Sequence, residues 1–235
     1  MILCIETATS VCSVSLCHEN LILGLKESHI DKSHASLLTV FIEELLSEHK
    51  ISAELLDAVA VSKGPGSYTG LRIGVSTAKG ICYGAGIPLL AVSTLKSMYH
   101  GIVDKYHDYP GINNTLICPM IDARRMEVYS SVFNYEGEEV RGVKAEIINN
   151  ESFGDLLKQS PVLFFGNGAT KCKELIKHPD AIFEDGYELS AVSLALPAQI
   201  ALENKKFEDI AYFEPYYLKD FVATIPRKNI LGTKS

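Results

Sequence analysis

The run from Lys63 to Thr94, KGPGSYTGLRIGVSTAKGICYGAGIPLLAVST, restricts the fold more than any other stretch of this chain. Gly64-Pro65-Gly66 turns the backbone, and Ser67 or Thr69 can cap a helix from about Ser67 to Gly84. Within it Gly70, Gly74 and Ala78 recur every four residues, so one helix face has almost no side chains. A glycine in a helix interior is roughly 1 kcal/mol worse than alanine, which predicts a close backbone approach on that face. Two neighbours suit it: the chain's own sheet, or a helix of another subunit.

The rest of the first half builds around this helix. Met1–Glu6 reads as a buried strand, and Cys12–Cys17 (CSVSLC) alternates like a half-buried one. His18-Glu19-Asn20 suits a turn, after which Leu21–Glu27 is a third strand. Ser33 can cap a helix through Glu48, with Leu37, Leu38, Phe41, Ile42, Leu45 and Leu46 on one face. Asp57–Ser62 and Pro88–Val92 are short strands, and Ser93 can cap a helix that fades between His100 and Tyr109.

The turn formers of Tyr106–Asn114 suggest a boundary, and the order then repeats. Strands are expected over Thr115–Ile121, Glu127–Tyr135 and Glu138–Ile148. A helix capped by Asn150 should run through Gln159, followed by a strand over Pro161–Phe165. Helix Ala169–Lys177, strand Ala181–Phe183 and a helix capped by Ser190 through Asn204 complete the order. Both halves therefore read βββαβαβα. The predicted class is α/β, with two ribonuclease-H-like (actin-like ATPase, ASKHA) domains facing across a cleft. The predicted spans are 1–106 and 107–225, with 226–235 a loose tail.

Composition excludes several functions. Against 22 basic residues stand 29 acidic ones, a formal charge of −7, which works against non-specific binding of RNA, DNA or anionic membrane. Arg227, Lys228 and Lys234 make only the last residues mildly basic. No stretch approaches the ~18 apolar residues of a membrane span, and Met1–Glu6 lacks the basic region of a signal peptide. Six scattered cysteines without a CxxC pair read as buried thiols of a cytoplasmic protein. None of the seven histidines lies three or four residues from another, so no HxxH, HxxxH or HExxH metal pair exists. Gly66-Ser67 does not form GxSxG, and the Gly-Lys-Ser/Thr of a Walker A loop never occurs.

In folds of this order, ATP phosphates are gripped by turns after the first strand of each half, usually as Asp-x-Gly. Here the first turn reads Glu6-Thr7-Ala8-Thr9-Ser10, with alanine in the glycine position. The second reads Asp122-Ala123-Arg124-Arg125, with arginine there. Glu6, Thr7 and Thr9 are candidate nucleotide contacts. So are Gly166 and Gly168 in Gly166-Asn167-Gly168-Ala169-Thr170-Lys171, which opens a predicted helix. Turn chemistry alone also accounts for all of them.

Several runs together resemble one family. GPGSYTGLRIGVSTAKG, the IETAT start, HASLL (His34–Leu38), IDARRMEVY (Ile121–Tyr129) and EPYYLKD (Glu214–Asp220) are similar to the TsaB (YeaZ) family, in order along nearly the whole chain. The resemblance implies a non-catalytic subunit that dimerises with its catalytic paralogue TsaD. That complex installs threonylcarbamoyl on adenosine 37 of ANN-decoding tRNAs, and a TsaE-like ATPase associates with it. TsaD carries a metal-binding HxxxH pair, which this chain lacks. The family usually has Asp where this chain has Glu6. Carried over by position, the partner interface comprises Leu37, Phe41, Leu45, Gly70, Leu71, Gly74, Val75 and Ala78. The resemblance also implies no membrane contact, tRNA reached only through the complex, and a homodimer in isolation. It implies no metal and no cofactor required by this chain, with ATP or ADP confined to the junction with the partner. The alternative is an ATP-dependent small-molecule kinase of the same fold.

Overall fold

The computed structural model describes residues 1–19, 21–31, 33–108 and 111–219. The tail 226–235, with Arg227, Lys228 and Lys234, lies outside them, as do Asn20 and Asp220. The first half runs β1 (Ile2–Glu6), β2 (Cys12–His18), β3 (Leu21–Ser28), α1 (His34–Glu48), β4 (Ala58–Gly64), α2 (Tyr68–Ala85), β5 (Leu89–Ser93) and α3 (Thr94–Tyr106). The second runs β6 (Leu116–Asp122), β7 (Glu127–Phe133), β8 (Glu139–Ile147), α4 (Gly154–Leu157), β9 (Val162–Phe165), β10 (Ala181–Glu184) and α5 (Ala195–Glu203).

The two sheets have the same topology. Their orders are β3-β2-β1-β4-β5 and β10-β9-β6-β7-β8. In each half the first three strands form an antiparallel meander, and the last two add in parallel on its other side. This is the expected pair of ribonuclease-H-like halves.

Helices α1 and α2 cover one face of the first sheet. Leu38, Ile42 and Leu45 of α1 and Val75, Ala78 and Cys82 of α2 meet Leu3, Ile5, Val14, Val59 and Val61 in one core. Ser67 caps α2 as expected, its hydroxyl accepting from Gly70 N at 3.2 Å. Ser33 and Ser93 make no such side-chain cap. Instead Ser33 O accepts from Ser36 N and Leu37 N.

The halves exchange helices. The apolar face of α3 packs on the second sheet, where Leu95, Met98, Tyr99 and Ile102 meet Ile117, Ile121, Phe133 and Phe165. In return, Ala195 and Ala198 of α5 and Ala191 and Leu194 of the turn before it cover Ile2, Cys4, Ala60 and Leu90 of the first sheet. Packing thus crosses the 106/107 boundary twice. Because α5 closes the second face of the first sheet, β2 is buried from Cys12 through Cys17 rather than half-buried. Its alternating serines have a use there. Ser13 Oγ accepts from Ala191 N at 2.9 Å, and Ser15 Oγ donates to Ala191 O at 3.0 Å.

Two predicted helices of the second half are cut short. In place of a helix from Asn150 to Gln159, only Gly154–Leu157 is helical. Asn149 Oδ1 accepts from Glu151 N at 2.8 Å, and Ser152 Oγ accepts from Asn149 N, so side chains compete with the helical pattern. Phe153 follows with φ 62° and packs on Phe164, which fixes the late start. In place of helix Ala169–Lys177 there is a single 3-10 turn, Thr170–Cys172.

Replacing Ser13 and Ser15 together by alanine should strip two hydrogen bonds from buried Ala191 and destabilise the chain by about 2–4 kcal/mol. Urea unfolding reads this directly, and an unchanged midpoint would show that the serines do not hold the halves together.

Candidate functional site

The first phosphate turn sits under the entrance to α2. Glu6 ends β1 fully buried. Its Oε1 accepts from Ala8 N at 2.7 Å, and its Oε2 accepts from the Ser62 hydroxyl on β4. Burial outweighs these donors and pushes the carboxyl up to about 7. Thr7 is also fully buried. A Cβ on Gly70 would lie 2.0 Å from Thr7 O, and one on Gly74 would lie 2.2 Å from Thr7 Oγ1. On Gly66 it would lie 2.5 Å from Ala8 O. Ser67 N also donates to Ala8 O at 2.7 Å. The turn's own groups thus face α2 of the same chain. Thr9 is half-buried, and among the described residues its hydroxyl accepts from Val11 N at 3.4 Å.

These distances decide between the two readings of the small-residue face: it packs on the chain's own first turn. Gly70, Leu71, Gly74, Val75 and Ala78 are buried, as is Leu45. They present no surface in this fold, which corrects their assignment to the partner interface. Leu37 and Phe41 are half-buried at the edge of the same core.

The second turn is filled by a lysine. Lys171 Nζ pairs with Asp122 Oδ1 and donates to the carbonyls of Arg125 and Glu127, both at 2.7 Å. Arg124 N donates to Asp122 Oδ1 at 2.8 Å. An ammonium thus sits among oxygens of the kind that would hold a cation. It fixes Arg124 and Arg125 at φ 68° and 50°, a left-handed backbone that costs a side-chain-bearing residue roughly 1–2 kcal/mol.

Gly166 and Gly168 face β6. A Cβ on Gly166 would meet Met98 Cε at 2.4 Å and Met120 O at 2.5 Å, and one on Gly168 would lie 2.8 Å from the Ile121 carbonyl carbon. Gly168 N donates to Met120 O, and Asn167 Oδ1 accepts from Asp122 N, each at 3.0 Å. These groups join β6 to its neighbouring loop, which accounts for both glycines by packing.

Between the halves lies an open groove of about 580 Å³, lined by Lys63, Ser93 and Lys96 on one side and Phe133, Glu139 and Val143 on the other. The Lys96 ammonium bridges it by donating to Gly137 O, 4.6 Å from the Tyr99 ring centre and 4.9 Å from that of Phe133. Among the described residues no group of three or more His, Cys, Asp or Glu side chains could hold a metal ion. No helix among them is long and apolar enough to cross a membrane. All six cysteines are buried thiols. Sequence reasoning missed Lys171 and Ser62, though both stand in runs it singled out, GNGATK and DAVAVS.

Fold and site together define an α/β chain of two matching halves whose first-strand turns are bonded to its own groups. A family model described as TsaD, tRNA N6-adenosine threonylcarbamoyltransferase, matches residues 24–227. The chain is 30% identical over 234 residues to the tRNA threonylcarbamoyladenosine biosynthesis protein TsaB of Escherichia coli, covering 94% of this chain and 96% of that one. It is 29% identical over 228 residues to the Bacillus subtilis protein of the same name, covering 93% of each. A solved Pseudomonas aeruginosa structure, described as an uncharacterized protein with similarity to peptidase YEAZ, superposes with a TM-score of 0.79. At 24% identity, over 93% of this chain and 99% of that one, it shows the shared fold. The chain belongs to the TsaB family of tRNA threonylcarbamoyladenosine biosynthesis proteins.

Glu6→Gln should change how stability depends on pH. A carboxyl raised from 4.5 to about 7 stabilises the fold fully below pH ~4.5, and that contribution is lost as pH rises through about 7. The variant should therefore gain up to about 3 kcal/mol relative to the parent between pH 5 and 8, the shift taken at about 1.4 kcal/mol per unit. Parallel urea series at several pH values test this, and a constant difference would contradict it.

Proposed function

We propose that this chain is a non-catalytic subunit that supports a TsaD-like catalytic paralogue in installing threonylcarbamoyl on adenosine 37 of ANN-decoding tRNAs. One observation carries the non-catalytic part. Both turns that would grip phosphate are occupied from within, one by the Gly70/Gly74 face of α2 and the other by the Lys171 ammonium. A kinase of this fold needs both turns open, so the small-molecule kinase reading is disfavoured. Peptidase chemistry has no support either. The Cys12, Cys82 and Cys172 thiols are pushed up to about 11 by burial, and Cys17, lowered by its hydrogen bond with Cys4, is buried against that thiol. In this reading the chain itself requires no cofactor. ATP or ADP, if it enters at all, sits at the junction with the partner, and a TsaE-like ATPase joins the pair. Its buried thiols suit the cytoplasm, and it reaches tRNA within the complex.

The partner surface we assign is the outer side of α1 and α2, not the buried one. Gly80 and Gly84 lie exposed on α2, with nothing within 4 Å of where their Cβ atoms would be. Nothing among the described residues explains two helix glycines there, whereas the close approach of another subunit would. Tyr83, 83% exposed, stands beside them, and α1 adds Val40 with half-buried Leu37 and Phe41. An isolated chain can pair with a second copy through the same surface.

Two leucines separate the two glycine faces. Gly74→Leu should prevent folding, since even its Cβ meets Thr7. Gly80→Leu should leave the fold intact and weaken co-elution with the TsaD-like subunit at least tenfold in concentration. If Gly80→Leu folds and assembles normally, this surface is not the interface. If the unaltered chain does not join the paralogue, the subunit role itself fails.

A further inference from the structure

The β6–β7 turn holds two arginines whose side chains are not used by the fold. Arg124 and Arg125 are exposed, and among the described residues neither guanidinium has a hydrogen bond or an ion pair. Their backbone, by contrast, is pinned. Lys171 Nζ bonds the carbonyls of Arg125 and Glu127, and Asp122 accepts from Arg124 N. A disfavoured left-handed turn is thus stabilised from three sides, while the cations it carries stay unpaired. The two acids that bound the turn are each matched, Asp122 by Lys171 and Glu127 by Lys219. The tip is therefore locally positive on a chain of net charge −7.

Aromatic rings adjoin it. Tyr129, half-buried on β7, follows the turn; burial raises its hydroxyl above its ordinary value while Lys219 and Arg124 pull it back. Two residues before Lys219, Tyr217 packs on Tyr68 with ring centres 4.8 Å apart and is 36% exposed. Two residues span at most ~7 Å of chain, so Tyr217 lies close to Lys219, which pairs with Glu127 at the other end of the turn. A single carboxylate on a partner protein would be met by one guanidinium. Two unpaired guanidiniums on a turn that leads into half-buried Tyr129 fit a polyanion that also offers flat bases.

We propose that Arg124 and Arg125 form a contact for the phosphate backbone of RNA, with the neighbouring tyrosines flanking it. The contact rests on the reading that the assembly works on tRNA, and it gives this acidic chain a local share in holding it. It adds to the tRNA contacts supplied by the partner.

The test is tRNA binding by the chain assembled with its catalytic paralogue, measured from roughly 0.05 to 0.2 M salt with the parent and with Arg124→Gln/Arg125→Gln. Each phosphate contact contributes roughly 0.7–0.9 to the slope of log affinity against log salt. The double variant should assemble normally, bind tRNA about tenfold more weakly near 0.15 M salt, and show a slope shallower by about 1–2. Unchanged affinity and slope would overturn the proposal. So would a variant that loses the paralogue while a cross-linked assembly binds tRNA as before, because the arginines would then meet an acidic protein surface. The subunit role fails separately, if the parent chain does not join the paralogue. In that case the same comparison on the isolated chain at low salt still decides the RNA contact.

Discussion

The contact between the Thr7 turn and the α2 backbone organises the first half. Room for a side chain is missing at Gly70, where a Cβ would lie 2.0 Å from Thr7 O. This proximity lets α2 lie flat on the sheet beside α1 and bury Val75 and Ala78 against the strands. It also places helix backbone over the turn where phosphate would otherwise approach. The packing that completes the core thus also covers the turn after β1.

The second half reaches the same end by electrostatics. No glycine helix covers its turn. Lys171 comes from the loop after β9 and places its ammonium among carbonyl and carboxylate oxygens. The two equivalent turns are thus closed by different means, and the proposed non-catalytic role rests on both. The exchange of α3 and α5 then ties the halves together, with Ser13 and Ser15 satisfying Ala191 at the crossing.

Much of this was legible in the residues. The doubled element order, the apolar face of α1 and the Ser67 and Ser190 caps were readable because each rests on local pattern. The existence of a small face on α2 was readable too, but not what it faces. Glycine spacing reports a close approach without naming the neighbour, and Thr7 lies more than sixty residues away in the chain. The exposed Gly80 and Gly84 were overlooked because the buried set has the same spacing. The shortened helices near Asn150 and Ala169 failed for a local reason in one case and a distant one in the other. Asn149 binds its own backbone, whereas the stretch after Gly168 is committed to β6. Lys171 looked like an ordinary loop lysine because its role depends on a hairpin forty-odd residues earlier.

Charge gains meaning from the same geometry. A total of −7 argues against broad RNA binding, yet it does not describe the β6–β7 tip, where the acids are matched and two arginines are not. The central claim is that this chain supports threonylcarbamoyl transfer without performing it. Reconstitution of the tRNA modification tests this most directly, with the paralogue and ATPase present and this chain either omitted, supplied, or supplied with Glu6→Gln. The account predicts modification that depends on the chain yet survives the substitution. Modification that proceeds equally well without the chain, or that stops with a folded, assembled Glu6→Gln variant, would contradict it.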